Sequence, residues 1–197
     1  MAEEQIKTGF RLVCIGGSSG SLEALSQLLP VLDNRFRLPV LIVLHRSNAM
    51  DNGLTTLLAS RTSLTIKEAE EKELLQPGSI YLAPPDYHVL LEEDGTLSLD
   101  VSEKVHFSRP SIEVSFSSAA HSYKKGLVAV LLSGANADGA AAMIEVKNFG
   151  GVTIVQDPQE ALVDFMPLRA IQLAPVDYIL RAADIVALLN GFSANGS

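Results

Sequence analysis

Short runs of consecutive apolar residues alternate along this chain with stretches whose apolar positions recur every three or four residues. Leu12–Ile15, Val40–Leu44 and Gly126–Leu132 are the clearest runs. Their unbroken apolarity predicts strands covered on both faces. Between the first two, Leu22, Leu25, Leu28, Leu29 and Leu32 fall on one face of a helix over Leu22–Leu32. Helices are also predicted over Gly53–Ser60, from Pro110 to about Tyr123, over Gly139–Lys147, around Met166–Leu173 and over Ala183–Leu189. Pro110 is placed in a first helical turn, where proline is favoured. Further strands are expected around Leu64–Lys67, at Ser79–Ala83 and at Gly151–Val155. In the middle of the chain, Val89–Leu91 and Leu97–Leu99 flank Glu93-Asp94-Gly95, a hairpin signal. The pattern predicts an α/β fold: a doubly wound, mostly parallel sheet with helices on both faces and an antiparallel hairpin insertion. One domain over residues 12–190 is expected, with tails at 1–11 and 191–197.

Composition narrows what such a domain can do. The 197 residues carry a net charge of −8, and the basic residues are scattered. This argues against nucleic acid as a partner, because phosphate binding needs clustered Lys and Arg. The longest apolar runs are strand-sized, well short of the ~18–20 residues of a membrane span, so no membrane insertion is expected. The start, MAEEQIKTGF, has no signal-peptide pattern, which points to the cytoplasm. The single cysteine, Cys14, lies in the first apolar run and reads as a core residue. Neither a metal site nor a cofactor is indicated.

The chemistry lies just beyond the ends of three strands. In an open parallel sheet, binding and catalysis gather at the carboxyl ends of the strands. Here Gly16-Gly17-Ser18-Ser19-Gly20 comes after the first strand, and His45 after the second. Ser133-Gly134-Ala135-Asn136-Ala137-Asp138-Gly139 comes after the strand ending at Leu132. A serine hydroxyl becomes nucleophilic when an imidazole takes its proton and a carboxylate orients that imidazole. Gly16-x-Ser18-x-Gly20 also has the spacing of a nucleophile elbow. Each residue has a plainer explanation alone: a glycine-rich turn, a strand-end histidine, and Asp138 as N-cap of the helix after it. The order Ser, His, Asp differs from that of the α/β-hydrolases. Phosphate binding at the first turn is the rival reading. The turn lacks the Lys-Ser/Thr ending of a P-loop and the spacing of a dinucleotide site.

With these residues the chain resembles the catalytic domain of the CheB chemotaxis protein-glutamate methylesterases from Leu12 to Leu189. Ile15-Gly16-Gly17-Ser18-Ser19-Gly20 is similar to the family's I-G-A-S-T/A-G-G. Val43-Leu44-His45 is similar to its strand ending in Gln-His. Leu132 to Gly139 is similar to L-S/T-G-M-G-x-D-G. Pro77-Gly78, Tyr81 to His88, Arg109-Pro110-Ser111-Ile112-Glu113, Gly150-Gly151 and Met166-Pro167 add further matches. The resemblance implies Ser18 as nucleophile, His45 as general base and Asp138 as its carboxylate. Ala135 and Ser19 are implied as oxyanion donors. The implied reaction is hydrolysis of glutamate γ-methyl esters on the cytoplasmic helices of methyl-accepting chemoreceptors or a related methylated signalling protein, with glutamine deamidation as a second activity. A relative repurposed to bind receptors or signalling partners is the alternative.

Departures from the family pattern include Leu44, Ala135, Asn136, and Ser21 in place of a glycine. The first strand begins by residue 12, so the receiver domain of many family members is not expected; the chain then reads either as a stand-alone esterase domain or as one controlled by a separate regulatory protein. Arg109 and Met166 are candidates for the site wall. His88 and His106 are read as loop or rim residues and His121 as a helix-surface residue. The acidic run from Glu68 to Glu73 reads as a solvated face.

Overall fold

A computed structural model describes residues 9–32, 34–46 and 53–194. Seven strands form one parallel sheet: β1 (Leu12–Gly17), β2 (Val40–Leu44), β3 (Thr65–Glu68), β4 (Ser79–Leu82), β7 (Leu127–Leu131), β8 (Val152–Gln156) and β9 (Tyr178–Leu180). Their order across the sheet is β3-β4-β2-β1-β7-β8-β9. Strands β5 (His88–Leu91) and β6 (Leu97–Asp100) form a separate antiparallel hairpin. The helices are α1 (Ser21–Leu28), α2 (Leu54–Ala59), α3 (Ile112–Tyr123), α4 (Ala142–Asn148), α5 (Phe165–Leu173) and α6 (Ala182–Ala194).

The central strands are buried on both sides, and alternation along each divides its residues between two apolar layers. Leu12, Cys14, Leu41, Val43, Leu127, Ala129 and Leu131 pack with α3, α4 and α5. Val13, Ile15, Ile42, Val128, Val130 and Leu132 pack with α1 and α6. The hairpin rests on α3 through three serines. Ser115 and Ser122 donate to the carbonyls of Val89 and Leu91, and Ser118 accepts from the N–H of Leu91. Burial pushes the Cys14 thiol pKa up, leaving it an unreactive core residue.

Strand β1 lies between β2 and β7, where chain progression across the sheet reverses. Such a switch point opens a crevice at the strands' carboxyl ends. All three chemistry-bearing segments of the sequence empty into it.

Several elements differ from the periodicity. Helix α1 ends at Leu28; Pro30 has no N–H to donate, and Leu29–Val31 form a 3₁₀ turn. Leu22 is 42% exposed rather than on the buried face. Pro110 precedes α3, whose N-cap is Ser111. Helix α4 starts at Ala142 because Gly139 takes a left-handed φ of 82°. Strand β9 has no counterpart in the sequence reading; it is short and half exposed at the sheet edge. Phe10 packs on Phe192 with ring centroids 4.5 Å apart, and α6 runs on to Ala194. Residues 1–8 and 195–197 of the expected tails lie outside the described residues.

Candidate active site

Ser18 sits in the tight turn from β1 into α1. Its N–H donates to the carbonyl of Ser133 at 2.9 Å, tying this turn to the end of β7. Gly16 is pressed against Ile112 and Phe116 of α3, and any side chain there would overlap Ile112. Gly20 has φ +83°, and a Cβ on it would lie 2.6 Å from the Ser133 hydroxyl and 2.8 Å from Leu162 Cβ. Glycine at these two positions therefore answers to space and backbone sign, not to a phosphate.

His45 leaves the end of β2 with its side chain 11% exposed, and Asp138 is fully buried. His45 Nδ1 lies 3.1 Å from Ser18 Oγ, and Nε2 lies 2.6 Å from Asp138 Oδ2. The structure thus brings the three predicted residues into one chain of contacts. The imidazole is turned relative to the serine-protease arrangement, in which Nε2 meets the serine. Either nitrogen of a neutral ring can accept a proton while the other donates, so the chemistry is equivalent.

Asp138 does not cap the helix after it. Gly139 turns the loop toward α3, and the carboxylate sits over the N-terminus of that helix. Oδ1 accepts from the Ser111 hydroxyl at 2.8 Å and the Glu113 N–H at 3.0 Å; Oδ2 accepts from the Ile112 N–H at 2.7 Å as well as from His45. Burial by itself pushes the Asp138 pKa up. The hydrogen bonds from His45, Ile112, Ser111 and Glu113 outweigh it and hold the carboxyl below its ordinary value. It is an anion held in place at neutral pH. His106 and Glu113 bring ligand atoms within 4.8 Å of it. Both Asp138 oxygens already accept two hydrogen bonds each, which leaves nothing for a metal ion.

Two residues to which sequence reasoning gave no part in the site extend this network. Buried His88 accepts the Ser111 N–H on Nδ1 at 3.1 Å and donates from Nε2 to the Glu103 carbonyl at 2.9 Å. It is a buried brace for the N-cap residue, not a rim residue. The Ser133 hydroxyl accepts from the Val163 N–H at 2.9 Å and lies 2.8 Å from the Ser19 carbonyl, joining the nucleophile turn to the segment before α5. Its signals in the sequence were its place directly after a buried strand and at the S/T position of the Leu132 to Gly139 motif.

Ser19 and Ala135 are both exposed beside the crevice, and neither N–H has an acceptor among the described residues. Arg109 directs its guanidinium to the carbonyls of Val101 and Ser102, at 2.6 and 2.7 Å, and braces that loop. Met166 is fully buried against Gly134, and its N–H donates to the Gly134 carbonyl at 2.9 Å. It supports the Asp138 loop from within. His121 lies on the α3 surface against Phe149. His106 is exposed and 3.2 Å from Glu113 Oε2.

The chain is similar to known proteins over most of its length. The CheB methylesterase pattern matches residues 13–189. A putative protein-glutamate methylesterase/protein-glutamine glutaminase of Leptospira interrogans is 41% identical over 179 residues, covering 91% of this chain and 93% of that one. The protein-glutamate methylesterase/protein-glutamine glutaminase of Thermotoga maritima is 35% identical, covering 89% of this chain and 52% of its own length. The crystal structure of the Thermotoga maritima CheB methylesterase catalytic domain superimposes with a TM-score of 0.88 at 34% identity, over 93% of this chain and 99% of that one. No helix among the described residues is long and apolar enough to cross a membrane. A strand order with its crevice between β1 and β7, shared motifs and matches over nine-tenths of the chain lead to one conclusion: this chain belongs to the CheB methylesterase family.

Proposed function

We propose that this chain is a serine hydrolase that removes methyl groups from glutamate γ-methyl esters on chemoreceptor signalling helices, and that it deamidates glutamine by the same route. The observation that carries the reading is the continuous contact Ser18–His45–Asp138, at 3.1 and 2.6 Å. Ser18 Oγ attacks the ester carbonyl while its proton passes to His45 Nδ1. Asp138 stabilises the imidazolium through Nε2–H. The oxyanion is met by the N–H groups of Ala135 and Ser19, a role supported by their lack of other acceptors among the described residues. Collapse expels methanol, which takes the proton back from Nδ1. Water, activated by the same nitrogen, then releases the glutamate carboxylate. For glutamine the leaving group is ammonia and the steps are otherwise unchanged. A module that only binds receptors has no need of a buried anion aligned on a serine through an imidazole.

The test is methanol release from a methylated receptor cytoplasmic fragment. The wild type is expected to release it, and Ser18→Ala to do so at least about 10⁴-fold more slowly. An inactive wild type refutes the reading; an active Ser18→Ala refutes the nucleophile.

A further inference from the structure

The loop from β6 to α3 carries a feature that the hydrolytic chemistry does not use. Val105 and Ser108 exchange backbone hydrogen bonds at 3.2 and 2.9 Å, closing a two-residue turn over His106 and Phe107. Both central residues have positive φ, 49° and 62°. Such turns favour Asn-Gly, and a bulky side chain in the left-handed region carries backbone strain. Phe107 is nevertheless there, 97% exposed. A residue that contributes no packing and strains its turn is a reason to look for a function.

Its position is fixed from two sides. The ring of His106, the neighbouring residue, lies 3.2 Å from Glu113 Oε2 and within 4.8 Å of the Asp138 carboxylate. At the base of the loop, Arg109 holds the carbonyls of Val101 and Ser102. The turn is thus held beside the triad. Leu162, 68% exposed, lies against Gly20 of the nucleophile turn. Phe107 and Leu162 are thus exposed apolar residues on segments that adjoin the triad. A ring so exposed encloses no small ligand, since small-molecule sites are concave. A macromolecular substrate that brings its scissile group to Ser18 is broad enough to cover it.

We propose that Phe107 is a substrate-anchoring residue that packs on the apolar face of the helix carrying the esterified glutamate, and so sets preference for helical protein substrates over free esters. The proposal rests on the methylesterase reading and adds to it how the substrate is held. Because Phe107 touches none of the reacting atoms, it acts on KM and not on kcat.

The test compares wild type, Phe107→Ala and Phe107→Asn on two substrates: a methylated receptor cytoplasmic fragment, and N-acetylglutamate γ-methyl ester as the same scissile group without a helix. Both variants are expected to raise KM for the fragment about tenfold at unchanged kcat. Their kcat/KM for the free ester stays within about twofold of wild type. Phe107→Ala leaves Tm unchanged, whereas Phe107→Asn raises it, because asparagine tolerates positive φ better. An unchanged KM for the fragment, an equal loss on both substrates or a lowered Tm overturns the anchoring role. If the wild type hydrolyses the free ester but leaves the fragment intact, the methylesterase reading itself fails and the anchor with it. If the wild type processes the fragment and Phe107→Ala does so with the same KM, only the anchor fails.

Discussion

The Ser18 turn and the Asp138 loop leave neighbouring strands and face each other across His45, yet they are held by opposite means. The Ser18 turn depends on atoms that are absent. Gly16, Gly17 and Gly20 let α3, α1, Ser133 and Leu162 approach the backbone more closely than a Cβ permits. The Asp138 loop depends on polar atoms that are all engaged. Its carboxylate accepts from two N–H groups, a hydroxyl and an imidazole, and is buried with none of its accepting capacity left over. One side fails when an atom is added and the other when a charge is removed.

Breaking the Asp138 side gives the largest effect. In Asp138→Asn the amide NH₂ replaces one oxygen and points a donor at groups that are themselves donors. Activity is expected to fall about 10⁴-fold, because the imidazole loses both its orientation and its stabilised charge. Stability is expected to fall by about 3 kcal/mol from buried donors left unpaired, read from urea denaturation midpoints. The pH dependence supplies a second signature. Asp138 has a folded pKa below its unfolded value, so the unfolded chain binds the proton more readily. Its contribution is complete above the unfolded carboxylate pKa of about 4 and is lost as pH falls through the folded pKa. The difference in stability between wild type and Asp138→Asn must therefore shrink on acidification. A constant difference across that range refutes the role of the anion.

The Ser18 side breaks by addition. Gly20→Ala strains a left-handed backbone and overlaps Ser133 and Leu162, and is expected to cost about 3 kcal/mol. Gly150 is the control: its φ is also positive, at 81°, but a Cβ there meets only Lys125 Cβ at an ordinary 3.7 Å. Gly150→Ala should cost about 1 kcal/mol, the backbone component alone. Equal losses in the two variants would show that close approach at the nucleophile turn is unimportant.

This contrast also explains what could be read from the chain. The three strand ends were legible because parallel strands buried on both faces are continuous apolar runs, and their carboxyl ends share one edge. Ser18, His45 and Asp138 followed from that rule. The supporting contacts were not legible, because they join residues far apart in sequence. Asp138 reads locally as the cap of the helix after it, whereas it receives the N-terminus of α3, 26 residues earlier. His88 reads as a loop residue, and only the fold buries it beneath Ser111. Element ends were misplaced where one residue overrides periodicity, as Pro30 does in α1 and Gly139 before α4. Strand β9 was missed because three half-exposed residues carry no pattern.

The smallest effect concerns Ser21, the position where this chain departs from the family's glycine. Its hydroxyl donates to the Ser18 carbonyl at 2.6 Å, and its N–H reaches the same oxygen at 3.0 Å. Its Cβ fits because residue 17 is glycine: a Cβ on Gly17 would lie 2.5 Å from Ser21 Cβ and 2.9 Å from its hydroxyl. The Ala and Gly of the family pattern at these positions, and the Gly and Ser of this chain, are two ways of placing one side chain in one space. Gly17→Ala alone is expected to cost about 2 kcal/mol through that overlap. Ser21→Gly alone should cost about 1 kcal/mol with the lost hydrogen bond. The double variant should be no less stable than Ser21→Gly, a favourable coupling of about 2 kcal/mol. Additive losses in this cycle would mean that the two positions are independent. Coupling would show that the departure at Ser21 is matched by Gly17, leaving Ser18 on the same backbone path.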